Sequence, residues 1–374
     1  MSQLPMVCPS MTNAQLLSID SMRTFVQREI EPLSSAMRYG AVSRNQLLEL
    51  TQAVSEFGLP GMIIPKALGG HGGDWVTQGR LFEELAMGSV ELAWQVLINI
   101  FASTLVLQQP ALCERYLPDL IVGRSLFGIT LNGSTSALHG RRKGAEWILD
   151  GRSDIVAANL HADVLICAVR EHSQASSFLL LDRSVDRYEI RHYRDIEGRQ
   201  QTCMQVTQAC LPIERVLGDA NADSPLTRHL FDVSKLHEAV VHLARGRSLL
   251  DASIARAKAN TQFGRPIAAQ HMVARQFAEL ATQLEAARLM CSQGFEQLDN
   301  GRLSGDTASR ARLMAYETAK RIERRVSRIE SHPSQTGWQH SDALLHLLSE
   351  NIADDAQHIA NALIGDLPGA SDES

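Results

Sequence analysis

Val164-Leu165-Ile166-Cys167-Ala168-Val169 and, after a polar break, Phe178-Leu179-Leu180-Leu181 are short apolar runs bounded by polar residues. Upstream, Trp147-Ile148-Leu149-Asp150-Gly151 reads as a strand entering a turn. Short runs at this spacing predict strands, so the stretch from about Ser125 to Asp219 is expected to form a small sheet or barrel. Cys203 and Cys210 fall within it and are expected as small buried strand residues rather than a metal pair.

Outward from this stretch, on both sides, the period of the apolar residues changes to a helical one. Leu16, Leu17, Ile19, Met22, Phe25, Val26 and Ile30 mark one amphipathic face, and Leu47, Leu48, Leu50, Val54 and Phe57 another that stops at Gly58. Gly69-Gly70-His71-Gly72-Gly73 is too rich in glycine for a helix. Helical spacing resumes from Gln78 to Met87 and from Leu92 to Leu107. From about Ser224 it returns and persists, with Leu243, Leu249, Leu250, Ile254, Phe277, Leu280, Leu284, Ala287 and Leu289 at buried-face spacing. The order is helices, strands, helices, and the long final helices are expected to pack as an antiparallel bundle.

Composition agrees with a mostly helical chain. Its 374 residues suffice for two or three domains. Aromatic residues make up 5%, with 25 Gly and 12 Pro, fewer of each than an all-β chain of this length needs. At 44% hydrophobic and 21% charged, disorder throughout is excluded. The 36 Lys+Arg against 42 Asp+Glu argue against a global nucleic-acid binder while leaving room for a local basic patch. None of the six cysteines has CxxC spacing and the N-terminus lacks a leader pattern, so a reduced cytoplasmic protein is expected. The apolar stretch Val96–Leu107 is broken by Asn99, Ser103 and Thr104, too short and polar to span a bilayer.

No catalytic signature stands alone: there is no GxSxG, P-loop, HExxH or strand-linked GxGxxG. His237 and His242, five apart, do not share a helical face and read as packing or surface residues. Lys320-Arg321-Ile322-Glu323-Arg324-Arg325-Val326-Ser327-Arg328 is read as a solvated helix face with Ile322 and Val326 turned inward; the alternative is phosphate binding.

Six fragments in order carry a resemblance over nearly the whole chain: Phe57–Pro65 with Gly69-Gly70 and Glu83-Glu84-Leu85-Ala86; Leu117–Gly123; Asp150-Gly151-Arg152 with Ala162-Asp163; Leu211–Gly218; Gln262–Ile267; and Ala278-Glu279-Leu280 with Glu285–Arg288. Together they resemble the acyl-CoA dehydrogenases. The resemblance implies an α+β, mostly α fold: an N-terminal helical domain (1–124), a middle β-barrel-like domain (125–224) and a C-terminal four-helix bundle (225–374). It implies a flavoprotein oxidoreductase that binds FAD and dehydrogenates an acyl thioester, carried on CoA or a carrier protein, at Cα–Cβ. A base near Cα, donors to the thioester carbonyl and a hydride acceptor beyond Cβ are the chemical requirements. It also implies a homodimer or homotetramer, with no membrane partner and an acceptor that the sequence leaves open.

Residue by residue, the resemblance places Asp354 as catalytic base, with Asp355 and Ala356 where the family has Gly-Thr. A base from the helix before the bundle's first glycine, used in one branch, is replaced by Ser234. The cofactor positions fall on Thr130, Ala157, Asn260, Gln262, Phe263, His271 and Arg328, and the substrate positions on Ser134 and Lys235. Ala157 stands where a hydroxyl donor is expected, Asn260 where a pyrophosphate-pairing arginine is expected, and Ser331-His332 where two glycines are expected. These departures raise two alternatives: a member of this fold that has lost FAD and has a non-redox or partner-subunit role, or one that binds DNA or another polyanion through Arg321, Arg324, Arg325 and Arg328.

Overall fold

In the computed structural model the apolar run Val164–Val169 becomes the middle of strand β4, and its neighbours assemble around it. The structure describes residues 11–38, 42–130, 137–154, 161–171, 176–194, 200–221, 224–262 and 264–330, with Asp355 and Ile359 beyond them. Six helices come first: α1 (Asn13–Phe25), α2 (Ser34–Arg38), α3 (Arg44–Ser55), α4 (Trp75–Gly88), α5 (Val90–Val106) and α6 (Pro110–Ile121). Eight strands follow: β1 (Phe127–Thr130), β2 (Ala137–Lys143), β3 (Glu146–Asp154), β4 (Val164–Glu171), β5 (Ser176–Asp182), β6 (Glu189–Arg194), β7 (Gln200–Pro212) and β8 (Val216–Asp219). Three long helices, α7 (Pro225–Ala259), α8 (His271–Asp299) and α9 (Gly305–Glu330), complete the described chain. Between α7 and α8 lies a two-strand hairpin, β9 (Thr261–Gln262) and β10 (Arg265–Pro266).

Contacts divide the chain into two compact units, each gathered from separated stretches. The first comprises Met1–Arg28, Trp75–Gly88 and Asp232–Ser374; the second comprises Glu29–Asp74 and Ser89–Phe231.

The second unit holds the sheet, in the order β6-β7-β3-β2-β4-β5-β8. β1 and β2 lie end to end along one edge of β4, both parallel to it, while β5 runs antiparallel on the other edge. The period-2 alternation of a strand sorts β4 between two cores. Val164, Ile166 and Ala168 pack with Ile98, Leu105, Leu117 and Leu120 of helices α5 and α6. Leu165, Cys167 and Val169 face the other way, against Leu138, Leu149, Met204 and Val206. Tyr116 of α6 donates to the Asp182 carboxylate at 2.8 Å and accepts from Arg215 at 3.0 Å, so the buried phenol is satisfied on both sides.

The turn expected at Asp150-Gly151 is instead an interior stretch of β3. The chain turns earlier, at Gly144 (φ 64°) and Ala145. Gly151, at φ 126°, sits where the pairing of β3 with β7 slips by one residue. A glycine in a strand relieves such a bulge as readily as it relieves a turn. Cys210 is exposed rather than buried, since it alternates with the inward-facing Ala209 and Leu211; Cys203 is buried as expected.

The glycine-rich loop folds back on Ile63–Pro65. A Cβ on Gly70 would stand 2.2 Å from the Ile64 carbonyl oxygen, a contact that only glycine permits. Gly70→Ala is expected to lower stability by about 1–3 kcal/mol through backbone displacement, readable as a lower urea midpoint at unchanged m.

The first unit is knit by buried charge. Arg23 of α1 grips Glu84 of α4 with two donors at 3.0 and 2.9 Å, and Arg247 of α7 reaches the same carboxylate at 2.9 Å. Glu83 receives Arg80 at 2.6 Å and Arg288 of α8 at 2.7 Å. Burial opposes the charge on Glu83, but Arg288 and Arg80 outweigh it and hold its pKa at about 2. Leu16 and Leu17 of α1 and Leu289 of α8, expected at buried faces, are exposed; Ile19, Met22 and Leu284 are buried.

Candidate functional site

The C-terminal end of α7, the β9–β10 hairpin turning at Gly264 (φ 74°), the start of α8 and the end of α9 enclose a cavity of ≈ 740 Å³. Four of the positions singled out from sequence, or their immediate neighbours, converge here. Asn260, Gln262 and Arg328 line the wall, as does Gln270, whose amide donates to Gln262 at 3.1 Å. His271 is the exposed first residue of α8 and is not among the lining residues.

The wall carries more positive charge than the aligned positions imply. Arg256 lies one turn before Asn260 on α7, and positions i and i+4 share a helical face. Arg325 and Arg328 face it from α9, and among the described residues neither is ion-paired. Deeper in, Ser253 is 1% exposed and its hydroxyl has no hydrogen-bond partner among the described residues. A buried hydroxyl left unpaired costs about 1–3 kcal/mol, so the cavity holds a ready donor and acceptor for a polar guest. Three guanidinium groups, the amides of Asn260, Gln262, Gln270 and Gln276, and this hydroxyl form a donor set suited to phosphate oxygens and a nucleoside. The residues present therefore fit the adenosine diphosphate portion of FAD, with the cation absent at position 260 supplied one turn away. Arg325 belongs to the basic stretch for which phosphate binding is the alternative reading; Arg256 is at none of the positions that the resemblance assigns, and its only sequence signal is its place four residues before Asn260.

A second cluster lies within the bundle. Arg312 of α9 donates to Glu238 of α7 at 2.6 Å and to Asp355 at 2.5 Å. Lys235 donates to the Ser309 hydroxyl at 3.0 Å and stands 3.6 Å from Asp355, while Ser234 donates to Glu238 at 2.9 Å. Burial raises the Glu238 pKa and Arg312 only partly offsets it. Burial also opposes the charge on Arg312, yet its hydrogen bond to Asp355 and the field of Glu238 hold its pKa above the usual value. Sequence reading singled out Lys235 and Asp354; the described residue that enters this cluster is Asp355, 3% exposed. Asp354 itself, Ser134, Ala157 and Phe263 lie outside the described residues. Thr130 is fully buried at the end of β1, level with Cys167 of β4.

His237 and His242 are both buried rather than at the surface. His237 sits edge-on to Phe82 and Phe295, donates from Nδ1 to the Val233 carbonyl at 2.8 Å and accepts at Nε2 from the Gln78 amide at 3.4 Å. That tautomer is assigned from its neighbours. Burial pushes its pKa down to about 4, and burial with nearby Arg245 and Arg312 pushes that of His242 to about 3. Among the described residues no group of three or more His, Cys, Asp or Glu is placed to hold a metal ion, and no helix is long and apolar enough to cross a membrane.

Two family models match. Residues 12–124 match the acyl-CoA dehydrogenase N-terminal domain, and residues 225–345 match the acyl-CoA dehydrogenase C-terminal domain. The caffeyl-CoA reductase–Etf complex subunit CarC of Acetobacterium woodii is 28% identical over 291 residues, covering 73% of this chain and 77% of its own. The glutaryl-CoA dehydrogenase of Desulfococcus multivorans is 25% identical, covering 82% and 84%. Among solved structures, butyryl-CoA dehydrogenase from Megasphaera elsdenii superposes with a TM-score of 0.82 at 17% identity, over 96% of this chain and 100% of that one. Glutaryl-CoA dehydrogenase from Mycobacterium smegmatis in complex with FADH2 also superposes with a TM-score of 0.82, at 18% identity, covering 95% and 96%.

Proposed function

The chain belongs to the acyl-CoA dehydrogenase family, and from that premise we propose that it is an FAD-dependent oxidoreductase that dehydrogenates an acyl thioester at Cα–Cβ. The observation that carries the reading is the arginine-lined cavity with its unpaired Ser253 hydroxyl. Arg256, Arg325 and Arg328 would neutralise the pyrophosphate, and Ser253, Asn260, Gln262 and Gln270 would bind the adenosine end. FAD, when bound, supplies the hydride acceptor. Asp354 is the proposed base that takes the α-proton. Its neighbour Asp355 is held by Arg312 and Lys235, which ties that part of the chain to α7 and α9. Either CoA or a carrier protein can bear the thioester. A closed symmetric oligomer is expected, as is a three-part division near residues 124 and 224. The relative named as a subunit of an Etf complex makes Etf the acceptor to try first.

The test is the absorption of the purified protein between roughly 370 and 450 nm, where oxidised flavin absorbs. Stoichiometric flavin is expected, and Arg256→Gln with Arg325→Gln is expected to weaken FAD binding by about tenfold or more, since each cation–phosphate bond contributes about 1.5–3 kcal/mol. Colourless protein that takes up no added FAD would overturn the reading in favour of a member of the fold without the cofactor.

A further inference from the structure

The cavity is one end of a longer groove. Gln276 and Arg325, which line it, also line a narrow waist with Glu279, Leu280 and Arg321. Arg321 and Arg325 then line a second widening of ≈ 490 Å³, where Gln283 of α8 faces Glu317, Thr318, Arg324 and Arg328 of α9, so that one carboxylate stands among four guanidinium groups. At 3.6 residues per turn, positions 321, 324, 325 and 328 fall within one stripe about 100° wide and about 10 Å long. The stripe runs along the groove rather than merely facing solvent.

Several arginines elsewhere in this unit are neutralised by carboxylates: Arg247 of α7 by Glu84 and Arg288 of α8 by Glu83, Arg275 by Glu279, Arg310 by Asp306. The four arginines of the stripe are not ion-paired among the described residues. Two of the pairs, 321 with 325 and 324 with 328, are like charges at i, i+4, which destabilise a helix. A helix that keeps such a row, in a chain of formal charge -6, gains from an anion lying along it. The groove runs between two packed helices whose axes are about 8–10 Å apart, so it admits a single file of phosphates and not a duplex. Gln283 and Thr318 add neutral hydrogen-bonding groups at the same level.

We propose that the Arg321–Arg324 end of the groove is a second anion site, for a ligand carrying a linear run of roughly two to four phosphates, beside the cofactor cavity and sharing Arg325 and Arg328 with its wall. A nucleoside polyphosphate and a free polyphosphate share this chemistry.

The probe is inorganic tripolyphosphate, titrated calorimetrically into the full chain saturated with FAD, or as purified if it takes up none. One saturable site per chain is expected, weakening as salt screens the charges. Arg321→Gln with Arg324→Gln is expected to lose about tenfold or more in affinity, with flavin content unchanged because neither residue lines the cofactor cavity, and with a thermal melt no lower than wild type because both i, i+4 like-charge pairs are removed. Competition by ATP but not by adenosine would identify the polyphosphate as the recognised part. Absent binding, or binding that the double substitution leaves unchanged, overturns the proposal. So does single-stranded DNA whose affinity rises with length and which tripolyphosphate does not displace. Failure of FAD uptake with tripolyphosphate binding intact would remove the cofactor reading alone.

Discussion

Arg312→Leu is expected to lower stability at neutral pH by about 3–5 kcal/mol, the usual cost of leaving a buried charge without its partner. The guanidinium lies between Glu238 and Asp355, both 3% exposed. Lys235, 3.6 Å from Asp355, and Ser234 on Glu238 are what remains. The variant's escape is to protonate Glu238, whose pKa burial already raises from its ordinary 4.5. Carrying that proton at pH 7 costs at most about 3.4 kcal/mol, from 1.36 kcal/mol per unit between 4.5 and 7, which bounds this carboxylate's share. The sign follows. An acid whose folded-state pKa is raised penalises the folded state above its ordinary pKa, and the penalty shrinks as pH falls toward 4.5. The gap between wild type and variant in urea unfolding should therefore be wide at pH 7 and narrower at pH 5. Arg312→Lys, which keeps the charge but loses the two-pronged geometry, should lose less. A gap that is constant across this range would show that Glu238 does not carry the effect.

His237 supplies the second large effect, with the opposite pH sense. Its pKa is pushed down to about 4 in the folded chain from an ordinary 6.5. The unfolded chain therefore binds a proton that the folded chain refuses between those values. Above pH 6.5 the residue adds no penalty; as pH falls from 6.5 to about 4, stability falls by about 3 kcal/mol from this group alone. His242, lowered to about 3, adds a second proton of the same sign. Wild type and His237→Gln should then differ at pH 5 in the slope of unfolding free energy against pH, by nearly one proton or about 1.3 kcal/mol per unit. Comparing the two slopes cancels the carboxylates common to both. Equal slopes would mean that the imidazole is charged in the folded state.

The sheet was legible because β4 and β5 contain the apolar runs Val164–Val169 and Phe178–Leu181, and a run buried on both faces needs no interpretation of period. The bundle helices were legible from Leu280, Leu284 and Ala287, all buried. Leu16, Leu17 and Leu289 were misplaced because several apolar residues in succession widen the apparent stripe, and only packing decides which flank is covered. Gly151 was read as a turn because the same torsional freedom serves a bulge. The charge network was visible only as the pair Glu83-Glu84; its partners Arg288 and Arg247 are far off in sequence, and no local pattern announces them. The cavity was half visible. Asn260, Gln262 and Arg328 were singled out and do converge, whereas the relocated cation at Arg256 required thinking in helix faces. The pairing of Asp355 with Arg312 was not legible, since 43 residues separate the two and no local pattern announces it; Asp354 lies outside the described residues.

The way α4 is enclosed has a consequence for how this protein comes off the ribosome. Glu83 must wait for Arg288, 205 residues later. At about 5–20 residues per second that is roughly 10–40 s of synthesis. During that time the two acidic residues and the apolar side of α4 have no finished surroundings, although the rest of the sheet-bearing unit, Ser89–Phe231, has already been made. Helix α8, made late, is thus one of those that close α4, made early, and a chain truncated before α8 should engage chaperones through α4.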